Sequence, residues 1–334
     1  MKRILITGAN KGIGLATVRR LLDSYDETFL LLGSRDLKKG QEALNSLVAS
    51  QPGWKDRLDL IKIDVEQDDS VKSAAAEVAQ KFGGSSSPLY AIVNNAGIGN
   101  SQLGLNKILQ VNTYGPKRVC EAFLPLLESS IGRVVNVTSA SGPSYLAGCS
   151  EEVKKILTSP EVSWTEIEAF MSECLKSNLE SEQTSKQGSG NDSSYGISKA
   201  CANAYTIHLA RENHKLTINA CTPGFIETDL TRPMAEANNK TPSEMGMKSP
   251  EEGTSASIFL LMGNPSGSGQ YYGSDLWHES IVAAAQGNRQ FVVHEYFFIS
   301  GDLWSTHASR LCGDKVRSKR ADRGAFSRIR TVWH

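Results

Sequence analysis

Arg3-Ile4-Leu5-Ile6-Thr7-Gly8-Ala9-Asn10-Lys11-Gly12-Ile13-Gly14-Leu15 lies at the start of the chain and decides how the rest is read. Arg3 to Thr7 is a short buried strand, because Ile4, Leu5 and Ile6 are contiguous and apolar. A glycine-rich turn follows, then a helical run from Leu15 to Leu22. Together they form a phosphate-binding unit. Gly8 permits the tight turn, Gly12 lets the backbone approach a pyrophosphate, and Gly14 lets the helix pack closely on the strand. The helix N-terminus adds free N–H groups and partial positive charge. The spacing is G-x-x-x-G-x-G rather than G-x-G-x-x-G.

Outward from this unit, apolar strands at 3–7, 28–33, 58–63, 89–93, 132–138, 215–221 and 270–273 alternate with helical stretches. The helices are expected near 12–24, 36–50, 67–82, 104–129, 195–213 and 250–263. Such alternation implies an α/β fold, a doubly wound parallel sheet with helices on both faces. At 334 residues, one domain with additions is expected. Lysine plus arginine, 36, balances aspartate plus glutamate, 36, so no field points to nucleic acid or an anionic membrane. Six cysteines without a C-x-x-C pair suit reduced thiols in the cytoplasm better than a disulfide framework or a zinc site, and the histidines lack ligand spacing. Only three apolar residues follow Lys2 and Arg3 before Thr7, too few for a signal-peptide core. No segment approaches the ~18 apolar residues of a membrane span.

Chemistry concentrates in Ser194-Tyr195-Gly196-Ile197-Ser198-Lys199. Four residues is about one helical turn, so Tyr195 and Lys199 share a face. An ammonium beside a phenol favours the phenolate and lowers the tyrosine pKa, which suits proton transfer to or from a carbonyl oxygen. Three further signals precede the pair: Asn94-Asn95-Ala96-Gly97 after a strand, Asn112 inside a helical run, and Ser139 after Arg133 to Thr138. A hydroxyl at the carboxyl end of a parallel strand lies where open α/β sheets bind ligands.

TGANKGIG, NNAG, Asn112, Ser139 and YGISK stand in the order of the short-chain dehydrogenase/reductase family, which the chain resembles over roughly residues 1 to 280. The resemblance implies a Rossmann fold in which Gly8, Asn10, Lys11, Gly12, Ile13 and Gly14 cradle the cofactor, and Asn94, Ala96 and Gly97 line it. Asp64-Val65 is similar to the family's adenine-contacting pair, although Asp64 also reads as a helix cap. Pro223-Gly224-Phe225-Ile226-Glu227-Thr228 is similar to the loop that meets the nicotinamide, with Pro223, Gly224, Ile226 and Thr228 as its contacts. Phe225 then faces the substrate pocket or forms an aromatic lid over the core. Cys221 is either a reactive thiol or a small buried hydrophobe. Ser139, Tyr195, Lys199 and Asn112 are the implied catalytic set: Ser139 holds the carbonyl oxygen, Tyr195 protonates it, Lys199 also binds the ribose, and Asn112 holds a water in the proton path.

Twenty residues beyond Gly14, where an acid would hold an NAD ribose, stand Ser34 and Arg35. Arg35, with Lys11 nearby, favours a 2′-phosphate and hence NADPH/NADP+. Asp36 is the competing ribose contact.

Fifty-six residues separate Ser139 from Tyr195, far more than is usual in the family. The insertion, about 144–192, carries helical patterns at Ser150 to Leu157 and Trp164 to Leu179, then a polar run, Ser181 to Ser194, that reads as a flexible loop. With the first-turn ANKG and with KSPEEG at 248–253, this resembles the monomeric NADPH-dependent carbonyl reductase branch. Plant alkaloid and menthone reductases are the nearest alternative, and a non-catalytic NADP-binding sensor or scaffold is another. The resemblance implies a small-molecule carbonyl substrate and, if the insertion covers the usual dimer face, a monomer; the alternative is that the insertion lids the substrate pocket and leaves the dimer face free. Residues 281–334 hold nine basic against four acidic side chains and read as a poorly ordered extension rather than a nucleic-acid-binding tail.

Overall fold

A computed structural model describes residues 1–83, 87–99, 103–184, 194–276 and 278–280. All belong to the first of the chain's two units, Met1–Ile299 and Ser300–His334. The expected disorder of 281–334, and the part of the polar loop at 185–193, lie outside the described residues.

Eight strands form one sheet: β1 (Lys2–Thr7), β2 (Thr28–Ser34), β3 (Leu58–Lys62), β4 (Ala91–Asn94), β5 (Arg133–Val137), β6 (Thr217–Cys221), β7 (Gln270–Tyr272) and β8 (His278–Ser280). Their spatial order is β3-β2-β1-β4-β5-β6-β7-β8. The first seven run parallel, and the chain crosses from β3 back to β4 beside β1. This reversal opens a crevice beyond the carboxyl ends of β1 and β4, the place where doubly wound sheets bind ligands. All seven expected strands are present. β8, which was not expected, adds an antiparallel edge.

The helices are α1 (Gly12–Ser24), α2 (Leu37–Ser50), α3 (Asp68–Phe82), α4 (Gly104–Asn112), α5 (Tyr114–Phe123), α6 (Ser141–Ala147), α7 (Glu151–Leu157), α8 (Trp164–Thr184), α9 (Ser194–Glu212), α10 (Arg232–Ala237) and α11 (Ser255–Met262). Strand side chains alternate between the faces. Leu5, Leu31, Ile92, Val134 and Ile218 pack with α3, α4, α5 and α9, whereas Ile4, Ile6, Leu30, Leu32 and Val93 pack with α1, α2 and α11. Both faces are therefore covered, and the strands read as unbroken apolar runs.

The expected helix over 104–129 is broken. Pro116 has no N–H, and its ring would collide with the Asn112 carbonyl four residues back. The helix is therefore distorted and interrupted at Thr113 (φ −117°, ψ −56°), and a second proline, Pro125, lies in the 3₁₀ turn over Leu124–Leu126 that ends the run. Likewise, 250–263 divides into a 3₁₀ turn, Glu252–Thr254, followed by α11. α8 continues to Thr184, four residues into the run expected to be loop. Once a helix is nucleated, Glu and Gln extend it readily.

Candidate active site

Gly8 and Gly12 both have positive φ, 65° and 54°, which turns the chain sharply from β1 into α1. A Cβ on Gly14 would lie 2.5 Å from Asn95 Nδ2 and 2.6 Å from the Gly8 carbonyl, so only glycine fits. Asn95 Nδ2 donates to the carbonyls of Thr7 (2.9 Å) and Gly8 (3.3 Å). Thr7 Oγ1 accepts from the Asn95 and Ala96 N–H groups, each at 3.1 Å. Thr7 and Asn95, to which sequence reading gave no role, thus tie the glycine turn to the loop after β4. The N-cap of α1, Lys11, makes no side-chain capping bond, so the first N–H groups of the helix have no side-chain cap competing with an anion.

At the adenosine end, Asp36 caps α2 by accepting the Lys39 N–H at 3.1 Å. Arg35 is exposed. Lys11 Nζ donates to Asp229 at 2.6 Å, and this bond is the main reason that Asp229 sits below the usual carboxylate range. Asp64 closes an Asx turn by accepting the Glu66 N–H (3.1 Å), and Val65 packs on Gly115 of α5. Asp64 does not cap α3, because the N-cap there is Gln67.

The loop after β4 divides its roles. Asn94 is buried, and its Nδ2 donates to Asn136 Oδ1 (2.8 Å) and Cys120 Sγ (3.3 Å). Its side chain therefore ties β4 to β5 and to α5. Ala96 is half-buried and Gly97 is exposed. A Cβ on Gly97 would lie 3.4 Å from Asn112 Oδ1 and 3.6 Å from Lys199 Nζ, so the absent side chain leaves a small gap between them. Asn112 donates to the Ile98 carbonyl (2.8 Å) and Ser198 Oγ (3.0 Å) and accepts the Ile98 N–H (2.9 Å). Beside it, Thr113 Oγ1 donates to the Ser198 carbonyl at 2.9 Å. The helix break thus latches the β4 loop to α9.

Ser139, 7% exposed, follows β5; its Oγ accepts the Ser141 N–H (3.1 Å) and donates to Ser141 Oγ (3.2 Å). α6 then crosses α9 closely, since a Cβ on Gly196 would lie 3.2 Å from the Ser141 carbonyl. This crossing brings the Ser139 turn to the residue next to Tyr195. Tyr195 is half-buried. Lys199, 5% exposed, sits with Nζ 5.6 Å from the Tyr195 ring centroid and donates to the Val137 carbonyl at 3.1 Å. Burial pulls its pKa down to about 8, with nearby Cys221 opposing the shift.

The loop after β6 lies over the glycine turn, with Thr228 Cγ2 3.5 Å from where a Gly12 Cβ would be. Ile13 and Ile226 converge beside Gly253, and Gly224 turns the loop after Pro223. Phe225 is buried with Ala235, Met245 and Met247 in a separate small cluster. Cys221 is fully buried, and burial raises its thiol to about 11, as expected of a small hydrophobe.

Comparison with known proteins agrees with this geometry. The sequence profile described as short chain dehydrogenase matches residues 2–150. (+)-Neomenthol dehydrogenase of Arabidopsis thaliana is 32% identical over 286 residues, 77% of this chain and 90% of that protein. Carbonyl reductase [NADPH] 1 of Homo sapiens is 30% identical over 280 residues, 80% and 93% of the two chains. The chain belongs to the short-chain dehydrogenase/reductase family. Among solved structures, salutaridine reductase from Papaver somniferum superposes with a TM-score of 0.66 at 26% identity, covering 81% of this chain and 99% of that one. This short-chain dehydrogenase/reductase therefore keeps the family's fold together with the long segment between Ser139 and Tyr195.

Proposed function

We propose that the chain reduces ketone, aldehyde or quinone carbonyls to alcohols with NADPH. The observation that carries this reading is the buried Lys199 ammonium beside the Tyr195 ring, on the helix that crosses the Ser139 turn. NADP(H) is the cofactor, and the chain is an oxidoreductase. The residues present fit it: the α1 N-terminus has no side-chain cap, Gly14 permits close approach, and Arg35 lies exposed where a 2′-phosphate is read.

NADPH, when bound, supplies the hydride to the carbonyl carbon. Ser139 Oγ turns its one hydrogen from Ser141 Oγ to the carbonyl oxygen and orients it. Tyr195 gives its phenolic proton to that oxygen as the C–O π bond opens, and is left as phenolate. The Lys199 ammonium stabilises that phenolate by Coulomb attraction in a water-poor setting. The Val137 carbonyl anchors the ammonium, and a water in the gap beside Gly97 connects Lys199 to Asn112.

Tyr195→Phe removes the transferable proton and keeps the ring. Turnover is expected to fall about 10²–10⁴-fold while NADPH binding, followed by fluorescence, persists. Retention of more than about a third of the wild-type rate would defeat the mechanism, since a general acid contributes far more than that.

A second reading, a terpenoid or alkaloid ketone reductase, is favoured by the likeness to neomenthol dehydrogenase and salutaridine reductase. A panel of quinones, aldehydes, and cyclic terpenoid and alkaloid ketones with NADPH separates the two readings. The protein is further proposed to be cytoplasmic; among the described residues no helix is long and apolar enough to cross a membrane.

A further inference from the structure

One stripe of α9 is polar: Tyr195, Lys199, Asn203 and Thr206, spaced four, four and three residues apart. The first two belong to the proposed active site. Thr206 Oγ1 accepts from Asn136 Nδ2 and donates to the Ala202 carbonyl, both at 2.9 Å. Asn136 Oδ1 in turn accepts from Asn94 Nδ2 at 2.8 Å. Between Lys199 and Thr206 lies Asn203, wholly buried, and among the described residues neither its amide nitrogen nor its oxygen has a hydrogen-bond partner. Asn94 Oδ1, at the far end of the same seam, is also buried without a partner.

A buried primary amide that bonds to nothing is among the less favourable groups a core can hold. The buried polar side chains around it on α9, Ser198, Lys199 and Thr206, all have hydrogen-bond partners, so Asn203 is the exception among them. Space beside it is scarce. A Cβ on Gly142, in the first turn of α6, would lie 3.0 Å from Asn203 Nδ2 and 2.9 Å from the Lys199 carbonyl carbon. A ligand for such an amide must both donate and accept, and must be very small.

We infer that Asn203 binds an internal water that ties α9 to the first turn of α6 and to the Asn136–Asn94 seam, making Asn203 a positioning residue for Lys199 and Tyr195. The water joins groups that side chains alone leave unpaired, and it sets how deeply the catalytic helix sits against β5. The positioning role rests on the proposed reading of Tyr195 and Lys199; the hydration site does not.

The test has a structural and a kinetic arm. A high-resolution crystal structure of the wild-type enzyme with NADPH should show an ordered solvent peak about 2.7–3.2 Å from both Asn203 amide atoms. A direct protein bond to the amide, or no peak, overturns the proposal. Asn203→Leu keeps the size of the side chain and removes its polarity. Were the amide merely unpaired, this change would raise Tm. With a bridging water it strands the water's other partners, so Tm should fall by several degrees. Turnover should fall about tenfold with the NADPH KM within about twofold, the pattern of a displaced catalytic group. Asn203→Ser, which keeps a donor and an acceptor and leaves room for solvent, should restore most of kcat. A leucine variant as stable and as fast as wild type refutes the inference. Should the leucine variant fail to fold, the solvent peak and the serine variant still decide. If Tyr195→Phe kept its turnover, the active-site reading would fail while the solvent peak and the order of Tm values stood.

Discussion

Lys199 carries an electrostatic burden that titration exposes. Burial pulls its pKa to about 8, below the 10.5 of a free lysine, so the unfolded chain binds more protons between those values. The charged form is the disfavoured one in the folded state. Stability contributed at this site is therefore lowest below about pH 8 and recovers as pH rises towards 10.5. The unfolding free energy of wild type minus that of Lys199→Met should increase over this window, because most other titrations cancel in the difference. A flat or falling difference in chemical denaturation would contradict the burial argument. Arg35 makes a second residue-scale case. Asp36 caps α2, and Arg35 is the proposed reader of a 2′-phosphate. Arg35→Ala should raise the NADPH KM roughly tenfold or more and leave the NADH KM nearly unchanged, since a charge-assisted contact is worth about 1.5–3 kcal/mol. Equal effects in steady-state kinetics with both cofactors would remove Arg35 from that role. The residues identified from sequence were those whose chemistry depends on spacing along one element, such as Tyr195 with Lys199. Thr7, Asn95 and Asn203 escaped because their partners come from other strands and helices, and no local pattern announces them.

At the scale of elements, the glycine turn depends on one close approach. Gly14→Ala would push a Cβ into Asn95 Nδ2 and the Gly8 carbonyl, at 2.5 and 2.6 Å, and neither neighbour is the free end of a flexible chain. Overpacking of this kind typically costs about 1–3 kcal/mol. Thermal unfolding should show a lower Tm and a smaller NADPH-induced increase than wild type. Gly53→Ala, whose Cβ would meet nothing within 4 Å, is the control and should stay within about 0.5 kcal/mol of wild type. An unchanged Gly14→Ala profile would mean that the turn relaxes freely. Apolar runs bounded by glycine, proline and polar clusters made every one of the seven parallel strands legible in sequence. The break at Thr113 has its signal in Pro116, which the expected helix over 104–129 passed over. That break has a use: it turns Asn112 and Thr113 towards Ser198, which an unbroken helix would not do. The β8 edge was not legible, since His278-Glu279-Ser280 holds no apolar residue to mark a strand.

For the whole molecule, the insertion is expected to decide how the chain meets other copies of itself. Its helix α8 does not stand away from the body. Ile167 and Met171 are fully buried, and the Trp164 ring meets Tyr205 of α9 edge-on at 5.7 Å and Tyr114 of α5 at 5.3 Å. Lys117 of α5 lies over the same ring at 5.0 Å, and Tyr114 donates to Glu168 of α8 at 3.1 Å. Arg211, near the end of α9, pairs with Glu161 at 3.5 Å just before α8 begins. These contacts cover the sides of α5 and α9 from within one chain. An isologous dimer through those helices needs the same surface open and apolar, with about 800 Å² buried on each partner for a stable interface. The two arrangements are mutually exclusive, so the protein is expected to be a monomer. Light scattering coupled to size exclusion should give a mass near the chain's 36.3 kDa at micromolar concentration. Trp164→Ala with Ile167→Asp should strip the cover from α5 and α9, lowering Tm and promoting self-association. A stable wild-type dimer would show that another face mediates assembly, and a doubly substituted variant that remains monomeric and equally stable would show that α8 is not what keeps copies apart.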